Sequence, residues 1–129
     1  MLKSQLNLKE GEIWYADLGA TIGREQSGFR PILIASNDWY NHLENSLVGI
    51  VPITRRNRGL VHHIEVNAGN GGLPKDCVIM CDQLRSIDVR RLKKRQGSIE
   101  PDTLVLVRTI ISRFFVGIPF YESSPWKDF

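Results

Sequence analysis

Short strand-like runs separated by turns fill most of the chain before Ser98, and this alternation restricts the fold more than any other feature. The runs are rich in apolar or β-branched side chains, which is typical of strands in a small sheet. The run 32–35 is continuously apolar, as expected of a strand buried on both faces. We therefore predict a mostly β fold of about five to seven strands. The runs lie at 12–18, 32–35, 47–53, 62–66, 77–81 and 85–89.

Apolar side chains recur at the spacing of a helix only after Ser98. Pro101 suits the first turn of a helix, because the N–H that proline lacks would have no partner there. A short helix is also expected after the second strand, where residues 36–38 offer a cap. These elements predict an α+β fold, in which a strongly bent sheet or partial barrel is covered by one C-terminal helix. The apolar side chains that recur at helical spacing are Leu104, Val107, Ile111 and Phe114.

The composition is that of one globular domain. With 129 residues, of which 42% are hydrophobic and 24% charged, the chain can bury a core without metal or disulfide support. No apolar run approaches the roughly 20 residues that a membrane helix requires. Residues 1–10 are too polar for a signal peptide. We expect a cytoplasmic protein without a membrane association.

The two cysteines, Cys77 and Cys81, lie four apart in one strand-like segment. That spacing would separate them by about 13 Å, which is too far for a disulfide. They also lack the C-x-x-C spacing of a zinc site. The interpretation is a pair of buried, reduced thiols in a cytosolic protein, with no metal and no cofactor.

Two polar clusters, 23–31 and 82–86, indicate a site that cleaves RNA. The first cluster brings a carboxylate, an amide, a hydroxyl and an arginine close together just before Pro31. Such a loop can hold a polar ligand in a fixed orientation, although an ordinary polar turn has the same composition. The second cluster repeats the same types of side chain and favours the site.

The positive charge is clustered, although the net charge is only +3. Clustered cations attract phosphate through counterion release and make binding salt-dependent. A solvated surface is the alternative for both clusters, and the second could simply belong to a turn before the last helix. The first cluster contains Arg55, Arg56 and Arg58, and the second contains Arg90, Arg91, Lys93, Lys94 and Arg95.

Five motifs, in order along the chain, resemble the MazF/PemK family of toxin endoribonucleases. They are 11–14, 23–31, 51–54, 72–76 and 81–88. The resemblance implies an SH3-like barrel that forms a two-fold homodimer, with each site near the dimer face. It divides the chain into an N-terminal extension (1–8), a toxin domain (9–117) and a tail (118–129) rich in aromatic residues and proline.

The resemblance also implies an activity, which is sequence-specific and metal-independent cleavage of single-stranded RNA, such as mRNA. The 2′-hydroxyl would attack the adjacent phosphorus and leave 2′,3′-cyclic phosphate and 5′-hydroxyl ends, which would inhibit translation and growth. The implied partners are single-stranded RNA and a cognate antitoxin with an acidic, flexible tail.

Arg30 and Thr54 are the expected catalytic residues. The guanidinium of Arg30 is a rigid, charged fork that can grip two phosphoryl oxygens, and the resemblance makes it central. Its part in proton transfer stays open. The Thr54 hydroxyl could donate to the scissile phosphate or position the attacking oxygen. The general base is either Asp82 or Glu25, and the sequence does not decide between them. Either residue could instead be an orienting or structural carboxylate.

The chain departs from one branch of the family at two positions. That branch has a histidine in place of Arg24 and an arginine in place of Met80, and both have acid or base duties there. The branch that relies on Arg30 and Thr54 is therefore the better model. Asp82 alone is retained from the other scheme.

Several side chains suit the recognition of splayed bases and phosphates in a single strand. Phe29 could also stack on a base, whereas Trp14 is better placed in the core. His62 and His63 are expected to be structural or rim residues, because neighbours in a strand point to opposite faces and cannot serve one site. The predicted RNA-binding residues are Gln26, Ser27, Phe29, Arg55, Arg56, Gln83, Arg85 and Ser86.

Two other functions stay open. A gyrase-poisoning toxin of the CcdB type resembles this chain in fold, but depends on a terminal Trp-Gly-Ile, whereas this chain ends in Trp126, Lys127, Asp128 and Phe129. A non-catalytic RNA-binding relative is the other alternative. The presence of Arg30 and Thr54 argues against it, although fold and site together do not prove turnover.

Overall fold

A seven-stranded sheet dominates the computed structural model, which describes residues 2–20, 22–23 and 25–116. The α+β prediction is confirmed, with a short helix after the second strand and a longer C-terminal helix. The strands are β1 (Glu12–Asp17), β2 (Phe29–Ile34), β3 (Leu47–Thr54), β4 (His63–Val66), β5 (Cys77–Met80), β6 (Arg85–Asp88) and β7 (Leu92–Ser98). The helices are α1 (Asp38–Asn41) and α2 (Pro101–Ile111), with a further helical turn at Ser112–Val116, and 3-10 turns lie at Lys3–Leu6, Asn70–Gly72, Cys81–Gln83 and Val89–Arg91.

The strand order is β4-β5-β3-β2-β1-β7, and β6 also pairs with β3. Strand β3 is the central strand of the sheet, because it pairs with three others. Strand β2 pairs with one of its edges, while β6 and β5 share the other edge. Its first half, Leu47 to Ile50, pairs with β6, and its last two residues, Ile53 and Thr54, pair with β5. The strand therefore ends between β2 and β5, where Thr54 meets the candidate site.

Both faces of the sheet carry a hydrophobic core. Ile13 and Leu33 belong to one core, which α2 closes through the buried Val107. Their neighbours Trp14 and Ile32 belong to the other core. This alternation along β1 and β2 follows from the two-residue period of a strand. It confirms that Trp14 packs in the core and explains why 32–35 is continuously apolar.

The chain before β1 packs on the domain. Leu8 is fully buried in the second core, and Lys3 is also buried. The ammonium group of Lys3 donates to the carbonyl of Tyr40 at 3.0 Å and to Oδ1 of Asn45 at 2.9 Å. Through Lys3, the described part of this segment contacts both α1 and the loop that follows it.

Strand β7 was not predicted, and it lies where the sequence analysis left open a turn before the last helix. It pairs with β1 along its length, and Arg95 forms an ion pair with the buried Glu12. Because three of its seven side chains are charged and exposed and only Leu92 is a large apolar one, no apolar pattern marks it, and the pairing of its backbone decides its structure. Within the second basic cluster, Arg90 pairs with Asp88 and Arg91 donates to a backbone carbonyl, so these cations have structural partners.

Several element boundaries differ from the prediction, and three of these differences concern candidate site residues or the cysteines. Strand β2 begins at Phe29, so Arg30 belongs to the strand and not to the loop before it. Strand β4 begins at His63, which leaves His62 in the preceding turn. Cys81 lies in the turn after β5, so the two cysteines do not share one strand, although both are free and buried as predicted. None of the helices in the described ranges is apolar and long enough to traverse a bilayer.

Candidate active site

Arg30 and Thr54 line the same open cleft of about 450 Å³. Strands β2 and β3 pair antiparallel, with Ile32 opposite Pro52. Continued two residues further, this register sets Arg30 opposite Thr54. Residues directly opposite in an antiparallel pair lie close enough for their side chains to touch one ligand. The two predicted catalytic residues are thus brought together by the pairing of two strands.

The side chain of Arg30 is half-buried and anchored at one end. Its Nε donates to the backbone carbonyl of Ser27 at 2.9 Å. Burial lowers the pKa of Arg30 from its ordinary value, but an arginine remains a cation at neutral pH. The anchored guanidinium is therefore a positioned positive charge on the wall of the cleft.

Thr54 ends β3 and shapes the loop that follows. Its hydroxyl oxygen accepts a hydrogen bond from the backbone amide of Arg56 at 3.2 Å. This local bond turns the chain so that Arg56 and Arg58 also line the cleft. One wall of the cleft therefore carries Arg56 and Arg58 next to Thr54, and all three can contact an anion.

The two predicted polar clusters meet across the cleft. The backbone amide of Gln26 donates to Oε1 of Gln83 at 3.0 Å. Glu25 and Asp82 line the cleft beside them, and Glu25 also accepts from the backbone amide of Ile22 at 3.3 Å. Both candidate carboxylates therefore lie in the same cleft as Arg30.

The prediction that His62 and His63 cannot serve one site is wrong. Nε2 of His62 lies 3.2 Å from Oδ2 of Asp82, and Nε2 of His63 lies 3.7 Å from Oδ1. The rule of opposite faces does not apply, because His62 lies in the turn before β4 and only His63 is in the strand. Their rings pack edge to face with centroids 4.7 Å apart, and both point toward the carboxylate.

Burial is also the main reason that the pKa of His63 lies below its ordinary value. The neighbouring His62 lowers this pKa further, while Asp82 acts in the opposite direction. His63 also lines the cleft that holds Arg30 and Thr54. An imidazole that is neutral near pH 7 can accept a proton, so the cleft holds a second type of basic group beside its two carboxylates.

Two smaller clefts adjoin the central one and share its walls. Arg30 and Thr54 also line the first of these, with a volume of about 350 Å³, where Phe29 stacks on Tyr15 with centroids 5.7 Å apart. The second has a volume of about 360 Å³ and shares Glu25, Gln26, Asp82 and Gln83 with the central cleft. The three clefts form one elongated groove.

Most of the predicted site residues line this groove. Ser27 and Ser86 do not line the three clefts, although the carbonyl of Ser27 anchors Arg30. Arg24 lies outside the described residues, and Met80 lines the central cleft. The groove also contains Arg58, Leu60 and His63, which the sequence analysis did not assign to the site. The predicted site residues that line the groove are Glu25, Gln26, Phe29, Arg30, Thr54, Arg55, Arg56, Asp82, Gln83 and Arg85.

The fold and the groove define a class of protein, namely a small antiparallel β protein with a cationic, polar cleft at the end of its central strand. A family model narrows the class. The chain belongs to the PemK-like, MazF-like toxins of type II toxin–antitoxin systems, whose model matches residues 9–115.

Known proteins agree with this assignment. The chain is 35% identical to the endoribonuclease EndoA of Bacillus subtilis over 98 residues. This aligned stretch covers 75% of this chain and 84% of that relative. The fold of this chain is similar to a crystal structure of MazF from Deinococcus radiodurans, with a TM-score of 0.75 and 27% identity. The similarity covers 86% of this chain and 97% of that MazF chain. The fold is also similar to a MazE–MazF structure from the same organism, with a TM-score of 0.69, 26% identity and coverage of 87% and 97%.

Proposed function

We propose that this chain is the toxin of a type II toxin–antitoxin system and cleaves single-stranded RNA, including mRNA, at specific sequences without a metal ion. The 2′-hydroxyl attacks the adjacent phosphorus and leaves 2′,3′-cyclic phosphate and 5′-hydroxyl ends. Cleavage of mRNA inhibits translation and growth. The protein acts in the cytoplasm. The family and the endoribonuclease relative support this activity. The observation that carries it is the juxtaposition of Arg30 and Thr54 in one cleft.

Arg30 stabilises the transition state. The attack builds negative charge on the phosphoryl oxygens, and a preorganised guanidinium in a partly buried cleft opposes that charge more strongly than water does. The bond from Nε to the carbonyl of Ser27 holds the side chain, and the two terminal nitrogens would contact the phosphate. Thr54, opposite on β3, donates its hydroxyl to the phosphate or orients the attacking oxygen.

Asp82 is the better placed of the two candidate bases. It lines the cleft with Arg30, and its two oxygens lie 3.2 Å from Nε2 of His62 and 3.7 Å from Nε2 of His63. A base must lie within reach of the 2′-hydroxyl proton, directly or through one water. Glu25 lines the same cleft and is the alternative. Arg30 can supply or relay the proton for the leaving oxygen.

The RNA strand lies along the groove with its scissile phosphate at Arg30. Nucleotides on one side reach the cleft of Phe29 and Arg55, where the exposed aromatic ring of Phe29 offers a stacking surface. Nucleotides on the other side reach the cleft that Gln83 and Arg85 line. The amides and cations of these side clefts read the bases and neutralise phosphates.

The sheet is an SH3-like barrel, and two copies form a two-fold homodimer. Large apolar side chains are exposed on the turn before His62 and at the end of α2. His62 contacts Phe114, with ring centroids 5.7 Å apart, so the two exposed segments adjoin. Exposed apolar patches of this kind mark interaction surfaces. The exposed side chains are Leu60, Val61, Phe114, Phe115 and Val116.

A cognate antitoxin is the second partner. The similarity to a MazE–MazF structure supports it. An acidic, flexible tail would lie along the groove beside Arg56 and Arg58, where its carboxylates replace the phosphates of RNA. The antitoxin would then block the site by occupying it.

The test incubates the purified chain with long single-stranded RNA in excess EDTA. Matched samples contain 2′-deoxy-substituted RNA, the Arg30→Ala variant and the Arg90→Ala variant, whose arginine pairs with Asp88 outside the groove. We expect cleavage of RNA by the native chain and by Arg90→Ala, with cyclic phosphate ends. The 2′-deoxy substrate and Arg30→Ala should give none.

Intact RNA across several long transcripts of diverse sequence would overturn the nuclease proposal. Gyrase inhibition would then be measured, although the family match does not favour it. Binding of RNA without cleavage would instead identify a non-catalytic relative.

A further inference from the structure

His62, His63 and Asp82 form a cluster of metal-ligating side chains on the wall of the central cleft. One ligand atom from each residue lies within 4.8 Å of the other two. Oδ2 of the carboxylate lies 3.2 Å from Nε2 of His62, and Oδ1 lies 3.7 Å from Nε2 of His63. The mechanism proposed above uses Asp82 and gives the histidines no chemical step.

Two imidazole nitrogens in this cluster are buried without hydrogen bonds. In the described part of the chain, neither Nε2 of His62 nor Nδ1 of His63 has a hydrogen-bond partner. Nε2 of His62 lies 3.2 Å from Oδ2 of Asp82, but the two atoms do not form a hydrogen bond. Buried polar atoms nearly always have partners, and a bound ion would supply the partner that Nε2 of His62 lacks.

The distances suit a tetrahedral metal ion. Ligand atoms at about 2.05 Å from zinc in tetrahedral geometry lie roughly 3.4 Å from one another. Each imidazole lies near that distance from one oxygen of the carboxylate, because Nε2 of His62 is 3.2 Å from Oδ2 of Asp82 and Nε2 of His63 is 3.7 Å from Oδ1. Two imidazoles and one carboxylate are a ligand set that zinc accepts, with a fourth position left for water.

The surroundings favour a defined site over a loose surface cluster. The side chain of His63 is only 6% exposed, and that of His62 is 23% exposed and covered by Phe114. Apolar packing around the ligands limits access of solvent and holds the rings in place. Asp82, at 40% exposure, faces the cleft, so the fourth position opens toward the RNA groove.

We propose that His62, His63 and Asp82 bind a divalent transition metal ion, for which Zn²⁺ is the best match, and that the bound ion inhibits the cleft. The inhibition rests on the proposed nuclease function, because the metal occupies the carboxylate assigned as base. It also puts a cation and its water beside Arg30 and Thr54. The ion is then a regulator, and the chain cleaves RNA in its metal-free form.

The binding test uses the full chain stripped of metal by a chelator and then dialysed. Zn²⁺ is added in equilibrium dialysis with metal analysis, and Co²⁺ is added as a spectroscopic probe of coordination geometry. We expect one ion per chain and a tetrahedral Co²⁺ spectrum. The variants are His62→Gln, His63→Gln and Asp82→Asn, with His42→Gln as the control, since His42 is exposed at the end of α1.

Each ligand variant should weaken Zn²⁺ binding at least tenfold, while His42→Gln should bind as the native chain does. Circular dichroism identifies any variant that fails to fold, and the Co²⁺ spectrum of the native chain does not depend on the variants. No zinc binding by the native chain at micromolar metal, or equal binding by all folded variants, would overturn the site.

The activity arm separates this inference from the proposed function. Zn²⁺ in slight excess should suppress RNA cleavage by the native chain, and EDTA should restore it. If zinc binds at the three ligands and cleavage is unchanged, the inhibitory role is wrong. If no RNA is cleaved under any condition, the proposed function fails, whereas the dialysis and spectra still decide the metal site.

Discussion

The backbone amide of Gln26 donates to the side-chain carbonyl of Gln83 across 3.0 Å, and this bond joins two polar clusters 57 residues apart. One cluster lies in the loop before β2, and the other lies in the turn after β5. The bond closes the wall between the central cleft and its neighbour, because both residues line both clefts. The candidate site thus depends on a contact that is remote in sequence.

Gln83→Met should loosen the loop that carries Gln26. The substitution keeps the length of the side chain but removes the acceptor, and a hydrogen bond of this kind contributes about 1 kcal/mol. Amide hydrogen exchange at Gln26 should accelerate by about fivefold. Gln83→Glu, which keeps an acceptor oxygen, is the control. Unchanged exchange in Gln83→Met would show that the bond does not order the loop.

Thr54→Val should reduce RNA cleavage, and Thr54→Ser should largely preserve it. Valine has the same shape as threonine but no hydroxyl, so it loses both the contact with the phosphate and the bond from the Arg56 amide. Loss of one preorganised donor lowers the turnover rate by roughly 100-fold to 1000-fold. Single-turnover cleavage of a labelled RNA measures the effect. Equal cleavage rates for Thr54→Val and Thr54→Ser would show that the Thr54 hydroxyl has no part in the mechanism.

Arg56→Gln should weaken RNA binding in a salt-dependent way, whereas Arg90→Gln should not. Arg56 lines the cleft, and Arg90 is paired with Asp88 outside it. Each phosphate contact to a single strand contributes a slope of about −0.7 to the plot of log affinity against log salt. Arg56→Gln should make that slope shallower by about this amount. Fluorescence anisotropy with 2′-deoxy-substituted RNA at several salt concentrations measures it, and parallel lines would argue against the contact.

Gly71→Ala should destabilise the fold more than Gly59→Ala. Both glycines have a positive φ, of 67° and 68°, so both variants carry about 1–2 kcal/mol of backbone strain. A Cβ on Gly71 would also lie 2.3 Å from Cδ1 of Ile13, whereas Gly59 has open space around it. Overpacking adds about 1–3 kcal/mol. Urea unfolding of the two variants measures the difference in their free energies of unfolding. Equal midpoints would show that Ile13 and its neighbours can move aside to accommodate the added methyl group.

Cys81 should resist alkylation in the folded chain even under alkaline conditions. Burial, with a further contribution from Asp82, raises the pKa of its thiol to about 12, and burial also raises the pKa of Cys77. Iodoacetamide should therefore label neither thiol until the chain is unfolded, as mass spectrometry would show. Rapid labelling of the native chain would contradict the buried placement.

The same shift makes the stability of the fold depend on alkaline pH. Above the ordinary thiol pKa of 9.0 the unfolded chain loses the Cys81 proton, while the folded chain retains it up to about 12. Stability should be fully present below that range and should fall as the pH rises through it. The fall should be smaller in Cys81→Ala, and an equal fall in both chains would assign it to other groups.

Local patterns accounted for most strands and for the long helix. The apolar run of β2, the β-branched run of β3 and the spacing of α2 each depend on residues that adjoin in sequence, and each was predicted. Strand β7 was not, because Leu92–Ser98 carries charged, exposed side chains and forms only by pairing with β1. No local signal distinguishes such a strand from a polar turn.

The candidate site divides in the same way. Arg30, Thr54 and the two polar clusters could be selected from the sequence because motifs and side-chain chemistry are local properties. The place of His62 and His63 at Asp82 could not, because it requires a turn to precede β4 and two distant segments to meet. The sequence alone determined the family, the types of element and the reactive side chains. Only the tertiary structure decided which of those side chains share a cleft, because that depends on strand pairing between residues far apart along the chain.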